Sequence, residues 1–162
     1  MPTVKPDLET RLAEDHHQAL KLWLRLLTCT NLITAEIRTR LRENFDTTLP
    51  RFDLLAQLER HPEGLKMREL SKRMMVTTGN VTGITDQLEA EGLVRREPDP
   101  QDRRAYTVKL TPQGRKVFAQ MAQEHESWVI DLFEGLSSSE KDLMYTLLGK
   151  LKTHLNGKEV HR

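Results

Sequence analysis

The sequence predicts a mainly α-helical fold that carries one small β-hairpin, and three observations point there. A pair of short helices lies between Leu65 and Gly92. A two-stranded hairpin with an arginine-rich turn follows at once and runs up to Gly114. Outside this segment the chain reads as helical, and from Leu8 to Asn44 it holds neither glycine nor proline.

The first helix of the pair covers Met67 to Met75. Met67, Leu70 and Met74 recur at i, i+3 and i+7, which gathers them on one buried face. Arg68, Lys72 and Arg73 are left facing solvent or phosphate. Thr77 or Thr78 can cap the second helix, whose apolar stripe is Val81, Ile84 and Leu88 and whose end falls at Gly92. Gly92 suits the left-handed position that follows a helix, with Leu93 closing a hydrophobic contact behind it. The rest of this helix shows Thr78, Gly79, Asn80, Thr82, Gly83, Asp86 and Gln87, a small and polar surface that fits a major groove. Gly79 and Gly83 each cost about 1 kcal/mol relative to alanine. Either DNA approaches the helix backbone there, or a neighbouring helix needs the room.

The hairpin consists of Val94 to Glu97, a turn through Pro98 to Asp102, and Tyr106 to Leu110, whose Tyr106, Val108 and Leu110 alternate onto one face. Arg103 and Arg104 sit near its tip, where an arginine can enter a narrow A·T-rich minor groove. Asp102 would be repelled by DNA and is expected to hold an arginine fork in one orientation. A helix pair followed by such a hairpin is the layout of a winged helix-turn-helix.

Four stretches of the chain resemble the DNA-binding core of the multiple-antibiotic-resistance regulator (MarR) family of bacterial transcription factors. They are LPRFDLLAQL from Leu49, MRELSKRM from Met67, NVTGITDQLEAEGLVRR from Asn80 and DRRAYTVKLTPQG from Asp102. The resemblance implies a sequence-specific DNA-binding regulator that dimerises through its first and last helices. It also implies a pocket between those helices and the DNA-binding lobe, for a small-molecule effector such as an aromatic acid or related anion. A repressor relieved by that effector is the expected function. Many relatives carry a basic residue near Gly83 and another near Gln87, so this second helix is less cationic than theirs.

The flanking helices support a homodimer independently. From Leu20 to Ile33 the chain is apolar nearly all round, through Leu22, Trp23, Leu24, Leu26, Leu27 and Leu32. A helix of that kind is buried on every side, and one small domain cannot enclose it. Thr111-Pro112 reads as a cap and a first-turn proline opening a helix to about Phe133. Ser137 with Glu140 reads as a capping box for a last helix through Leu143, Leu147, Leu148 and Leu151. The expected organisation is an N-terminal dimerisation region over residues 1–46, a DNA-binding lobe over 47–112 and C-terminal dimerisation helices over 113–162. A twofold dimer then needs half-sites roughly 34 Å apart, so the operator in double-stranded DNA should be an imperfect palindrome.

Candidate phosphate contacts are Arg68, Lys72, Arg73, Arg95, Arg96 and Lys109. Candidate base contacts are Asn80, Thr82 and Gln87, with Thr78 beside them, since Asn or Gln can pair bidentately with adenine. His17, Trp23, Arg25, Arg51 and Phe52 are the candidate ligand residues, an arginine among them being able to clamp a carboxylate. The alternative for these five is that Trp23 and Phe52 are core and the arginines are surface.

Two other switches have weaker support. Cys29 is the single cysteine, which excludes an intramolecular disulfide. One branch of the resembled family senses peroxides through a first-helix cysteine, but only Arg25 lies within helical reach to lower this thiol's pKa. His16 and His17, near Glu14 and Asp15, and His125 beside Glu126 are poor metal sites, because adjacent helical residues point about 100° apart. No metal or other cofactor is therefore expected.

The charge balance, 25 basic against 24 acidic residues for a net +1, does not by itself flag nucleic acid. Its local placement does. No apolar run is long enough to span a bilayer and no leader is evident, so a cytoplasmic protein with no membrane partner is expected. No Gly-rich phosphate loop, nucleophile elbow or i, i+4 histidine pair speaks for an enzyme, and Asp86 and Glu89 read as a solvated helix face. A winged helix that docks protein without binding DNA is the remaining alternative, and the Arg103-Arg104 tip argues against it.

Overall fold

The structure, a computed structural model, describes residues 17–74 and 80–159. In chain order the elements are α1 (Gln18–Phe45), α2 (Leu49–Glu59), β1 (Leu65–Lys66), α3 (Met67–Arg73) and α4 (Val81–Ala90). The strands β2 (Val94–Pro98) and β3 (Tyr106–Leu110) follow, then α5 (Pro112–Leu132) and α6 (Ser138–Glu159). Two compact units divide within α5, one inside residues 1–125 and the other inside 126–162.

The first unit is built around α2. Thr48 caps this helix by accepting the Arg51 N–H at 3.3 Å, and Pro50 occupies its first turn, where a missing N–H costs nothing. Leu54, Leu55 and Leu58 of α2 are buried with Leu41 of α1, Leu70 of α3, Leu88 of α4, and Val94 and Val108 of the sheet. Each fully buried leucine of this set contributes about 1.5–3 kcal/mol of hydrophobic stabilisation. As the spacing predicts, α3 turns Leu70 and Met74 inward, with Met67 half-buried. In α4 the inward stripe is Val81, half-buried Ile84 and Leu88, joined by Thr85, whose Oγ1 donates to the Val81 carbonyl at 2.8 Å. That local bond is what lets a threonine sit in the core.

The sheet has three antiparallel strands in the order β1-β3-β2. The hairpin register runs from Val94 opposite Leu110 to Pro98 opposite Tyr106. The third strand is the two-residue β1, with Leu65 opposite Val108. Its length leaves no alternation to read in the sequence. Val108 and Leu110 face the core as expected, but Tyr106, at the turn end of the hairpin, is 46% exposed.

The end of α4 is tied to the start of α5. Gly92, at φ +76°, donates to the Glu89 carbonyl, and Leu93 donates to that of Leu88, a complete Schellman ending. Thr111 then reaches back from β3, donating its N–H to the Leu93 carbonyl at 3.1 Å and its hydroxyl to that of Gly92 at 2.6 Å. The same hydroxyl accepts the Gly114 N–H at 2.9 Å and so caps α5. A Cβ on Gly114 would lie 1.8 Å from the Leu93 carbonyl oxygen, so only glycine fits.

Only Ile37 and Leu41 of α1 are buried, while Leu22, Trp23 and Leu32 are each more than half exposed. In the single chain the apolar helix is thus uncovered rather than enclosed. The second unit holds the last residues of α5 and all of α6. Its capping box forms as the sequence predicts: the Ser137 N–H donates to Glu140 Oε1 at 2.9 Å, and the Glu140 N–H to Ser137 Oγ at 3.2 Å. The Ser137 N–H first, then the Ser137 hydroxyl, hold the Glu140 carboxyl below its usual range. Leu143, Tyr145 and Leu147 are exposed along α6. Among the described residues no helix is long and apolar enough to cross a membrane.

Replacing Gly114 with alanine is expected to lower the free energy of unfolding by about 1–3 kcal/mol, the usual range for forced overpacking. A denaturant melt unchanged from wild type would show that the α4–α5 junction is looser than described.

Candidate nucleic-acid interface

The second helix of the pair, α4, is capped by Asn80, where Thr77 or Thr78 was the expected cap. The Asn80 Oδ1 accepts the Gly83 N–H at 3.0 Å. This leaves the Nδ2 group as the outward donor and makes a bidentate adenine pairing compete with the helix cap. Thr78 lies outside the described residues, as do Thr77, Gly79 and His16. The nearest atoms that a side chain at Gly83 would meet are those of the Asn80 amide, from 3.1 Å, and not a neighbouring helix.

Two arginines bracket the exposed surface of α4. From β2, Arg96 places its guanidinium against Asp86 at 2.5 Å and Glu89 at 2.8 Å, and its N–H donates to Glu89 Oε2 at 3.0 Å. From α2, Arg51 donates to Gln87 Oε1 at 3.3 Å and forms an ion pair with Glu91. The acids of α4 are therefore offset from two sides: Arg96 is shared by Asp86 and Glu89, and Arg51 serves Glu91 just past the helix end, which leaves a single negative charge beside the exposed Thr82 and Gln87. Arg96, a candidate phosphate contact, thus has its guanidinium engaged within the lobe, and Asp86 and Glu89 are paired as well as solvated. Arg96 is the strut between wing and helix.

In the wing, the Asp99 N–H donates to the Ala105 carbonyl across the base of the turn. The Asp99 carboxylate accepts from the Gln101 N–H at 2.9 Å and from Lys66 Nζ at 3.0 Å. The Gln101 amide first, then Lys66, hold its carboxyl below the usual range. Asp102 also differs from expectation: its carboxylate accepts the Arg104 backbone N–H at 3.0 Å and shapes the turn, where a grip on a guanidinium was expected. An aspartate bonds readily to an N–H two residues on, and that local bond wins. Arg103 and Arg104 are exposed, and neither side chain has a partner among the described residues.

The other cations divide into two groups. Arg68 and Lys72 are exposed on α3 with no carboxylate partner among the described residues, and Arg73 lies 3.4 Å from the His61 ring. Arg95 and Lys109 share Glu97 at 3.0 and 2.8 Å, Lys109 being foremost in holding its carboxyl below the usual range. Their charge is partly spent within the sheet.

The five candidate ligand residues do not converge. Phe52 is core, its ring centroid 5.4 Å from Phe118 and 4.7 Å from His125. Arg51, the residue before it, turns to α4, as successive helical positions must. Trp23 and Arg25 are exposed on α1, with His17 just before its start. Beside Phe52 a cleft of about 370 Å³ is lined by Phe118, His125, Arg60 and Arg115. Burial pushes the His125 imidazole down, which favours its neutral form. Of this lining the sequence reading had only Phe52, because the contacts between α2 and α5 span more than fifty positions. Cys29 is exposed on α1, and no metal-binding group of three ligands occurs among the described residues.

A helix pair backed by a three-stranded sheet, with an arginine-tipped hairpin beside its second helix, defines a winged helix-turn-helix protein. Residues 47–106 match the MarR family. The crystal structure of a MarR family transcriptional regulator from Silicibacter pomeroyi is similar at a TM-score of 0.71 and 30% identity, over 86% of this chain and 98% of that one. An uncharacterized HTH-type transcriptional regulator of Bacillus cereus is 29% identical over 140 residues, 86% of this chain and 92% of that one. Sco3205 of Streptomyces coelicolor, a MarR family regulator crystallised in complex with DNA, is similar at a TM-score of 0.72 and 24% identity, over 83% of this chain and 85% of that one. The chain belongs to the MarR family, whose members regulate transcription and are not enzymes.

Removing the Arg96 side chain by alanine substitution should cost about 1–2 kcal/mol of stability, the range for hydrogen bonds to partly exposed charges. Arg95→Ala should stay within about 0.5 kcal/mol of wild type. Equal losses in urea titrations would contradict the strut role.

Proposed function

We propose that the protein is a repressor that binds a palindromic operator in double-stranded DNA as a homodimer and is released by a small-molecule effector. The observation that carries this reading is the pair of exposed guanidiniums at Arg103 and Arg104, unpartnered among the described residues, beside a helix whose acids are largely offset by Arg96 and Arg51. In the proposed complex α4 lies in the major groove, offering Thr82, Gln87 and the Asn80 amide to base edges. The wing tip enters the adjacent minor groove. Arg68, Lys72 and Arg73 contact phosphates, a sequence-independent contribution that screens with salt. That Sco3205, of similar fold, was crystallised in complex with DNA supports DNA as the partner of this chain.

The dimer reading is supported by the exposed leucines of α1 and, separately, of α6. Such contiguous apolar surface is uncommon on a monomer. Effector relief is supported by the cleft beside Phe52, where three aromatic rings offer stacking and Arg60 and Arg115, against the single carboxylate of Glu59, leave a net countercharge for an aromatic acid or related anion. An effector there releases DNA only by favouring an arrangement of the dimer that binds it poorly. As a regulator of transcription the protein works in the cytoplasm.

Selection of bound duplexes from a random library, followed by anisotropy titration of the winner, tests the reading directly. Arg104→Ala should weaken binding at least tenfold while sedimentation still shows a dimer. Unchanged affinity would remove the wing from the interface, and selection of no duplex by a verified dimer would remove the DNA reading itself.

A further inference from the structure

A second cleft, of about 400 Å³, lies on the side of α4 where Arg51 is found. Arg38 and Arg42 of α1, Thr47, Thr48 and Arg51 at the start of α2, and Gln87 of α4 line it. No carboxylate is in that lining. Arg38 and Arg42 stand four residues apart, a spacing at which like charges oppose each other on a helix. Both are exposed, and neither has a partner among the described residues. Arg51 forms an ion pair with Glu91, yet its Nε is buried with no hydrogen-bond partner among the described residues. A buried donor left without an acceptor calls for an explanation, such as an ion. The positive end of the α2 dipole, capped by Thr48, adds to the same field.

We infer that this cleft is a binding site for a phosphate-type oxyanion, held by the guanidiniums of Arg38, Arg42 and Arg51. Arg38 and Arg42, with Arg51 beside them already paired to Glu91, two hydroxyls and a helix N-terminus give the donors and charge that such an anion requires. The occupant is either a free oxyanion or a backbone phosphate of bound DNA, since the chemistry of recognition is the same. Arg51 also holds Gln87 Oε1. Filling the cleft therefore acts on the orientation of a side chain proposed to read bases, a link that rests on the operator-binding reading, whereas the anion site itself does not.

The test uses the full-length protein and the double variant Arg38→Gln, Arg42→Gln, leaving Arg51 and its contacts with α4 intact. Calorimetric titration with inorganic phosphate at constant ionic strength, without DNA, is the first arm. Binding by wild type that weakens about tenfold or more in the variant assigns the cleft to a free oxyanion. Anisotropy titration of the selected operator in chloride buffers is the second arm. A uniform loss of affinity, with the log–log salt slope smaller by about one, assigns it to a backbone phosphate. Phosphate affinity and salt slope both unchanged in a variant that melts as wild type does would overturn the inference. If the protein binds no operator at all, the calorimetric arm decides alone: undiminished phosphate affinity in the variant, or none in wild type, overturns it. A failure of the DNA reading is thus told apart from a failure of the anion site.

Discussion

The placement of recognition helix, wing and long helix hangs on the short stretch where the end of α4 meets the start of α5. One carbonyl, that of Leu93, accepts the Thr111 N–H, and one hydroxyl, that of Thr111, joins the Gly92 carbonyl to the Gly114 N–H. Both strands of the wing leave from this point. Because the Gly114 backbone packs directly against Leu93, the recognition helix, the root of the wing and the first turn of the long helix share one fixed frame. Hydrogen bonds worth about 1 kcal/mol apiece would not ordinarily dominate a fold. Here they act together with a steric constraint that admits no side chain.

Charge on the DNA-facing side is apportioned in the same spirit. The outer surface of α4 and its C-cap carry Asp86, Glu89 and Glu91, three acids on a helix proposed to approach a polyanion. Arg96 and Arg51 offset two of these three charges from opposite sides. Arginine suits this work because its planar fork can serve two acceptors at once, as Arg96 does with Asp86 and Glu89. The consequence is a division of labour among basic residues that look alike in the sequence: some hold the lobe together, and Arg103 and Arg104 remain unspent.

That division explains what could be read from the chain alone. The Schellman ending at Gly92, the Thr111 cap and the Ser137–Glu140 box were legible because each depends on partners within about five positions. The inward faces of α3 and α4 were legible from periodicity. The third strand was not, since two residues carry no period. Nor were the pairings of Arg51 with Glu91 and of Arg96 with Asp86, which join different elements across the fold. Asp102 misled for the opposite reason, a local backbone bond prevailing over a partner in its neighbouring arginines. The ligand residues suffered most, because a cleft belongs to elements brought together by packing, and adjacent positions such as Arg51 and Phe52 serve different sides of one helix.

The wing is fastened at both ends: Arg96 binds it to α4, and Lys66, at the head of α3, binds Asp99 near its turn. Wing and helix are therefore held at a preferred spacing. In the proposed complex such a spacing resists a groove that is too wide or too narrow; a duplex that bends or twists cheaply then fits at lower cost, and such sequences gain an advantage at positions no side chain touches. Discrimination among sites would then reside partly in the stiffness of the DNA, which would explain how a reading helix with few charged groups of its own to spare can still be selective.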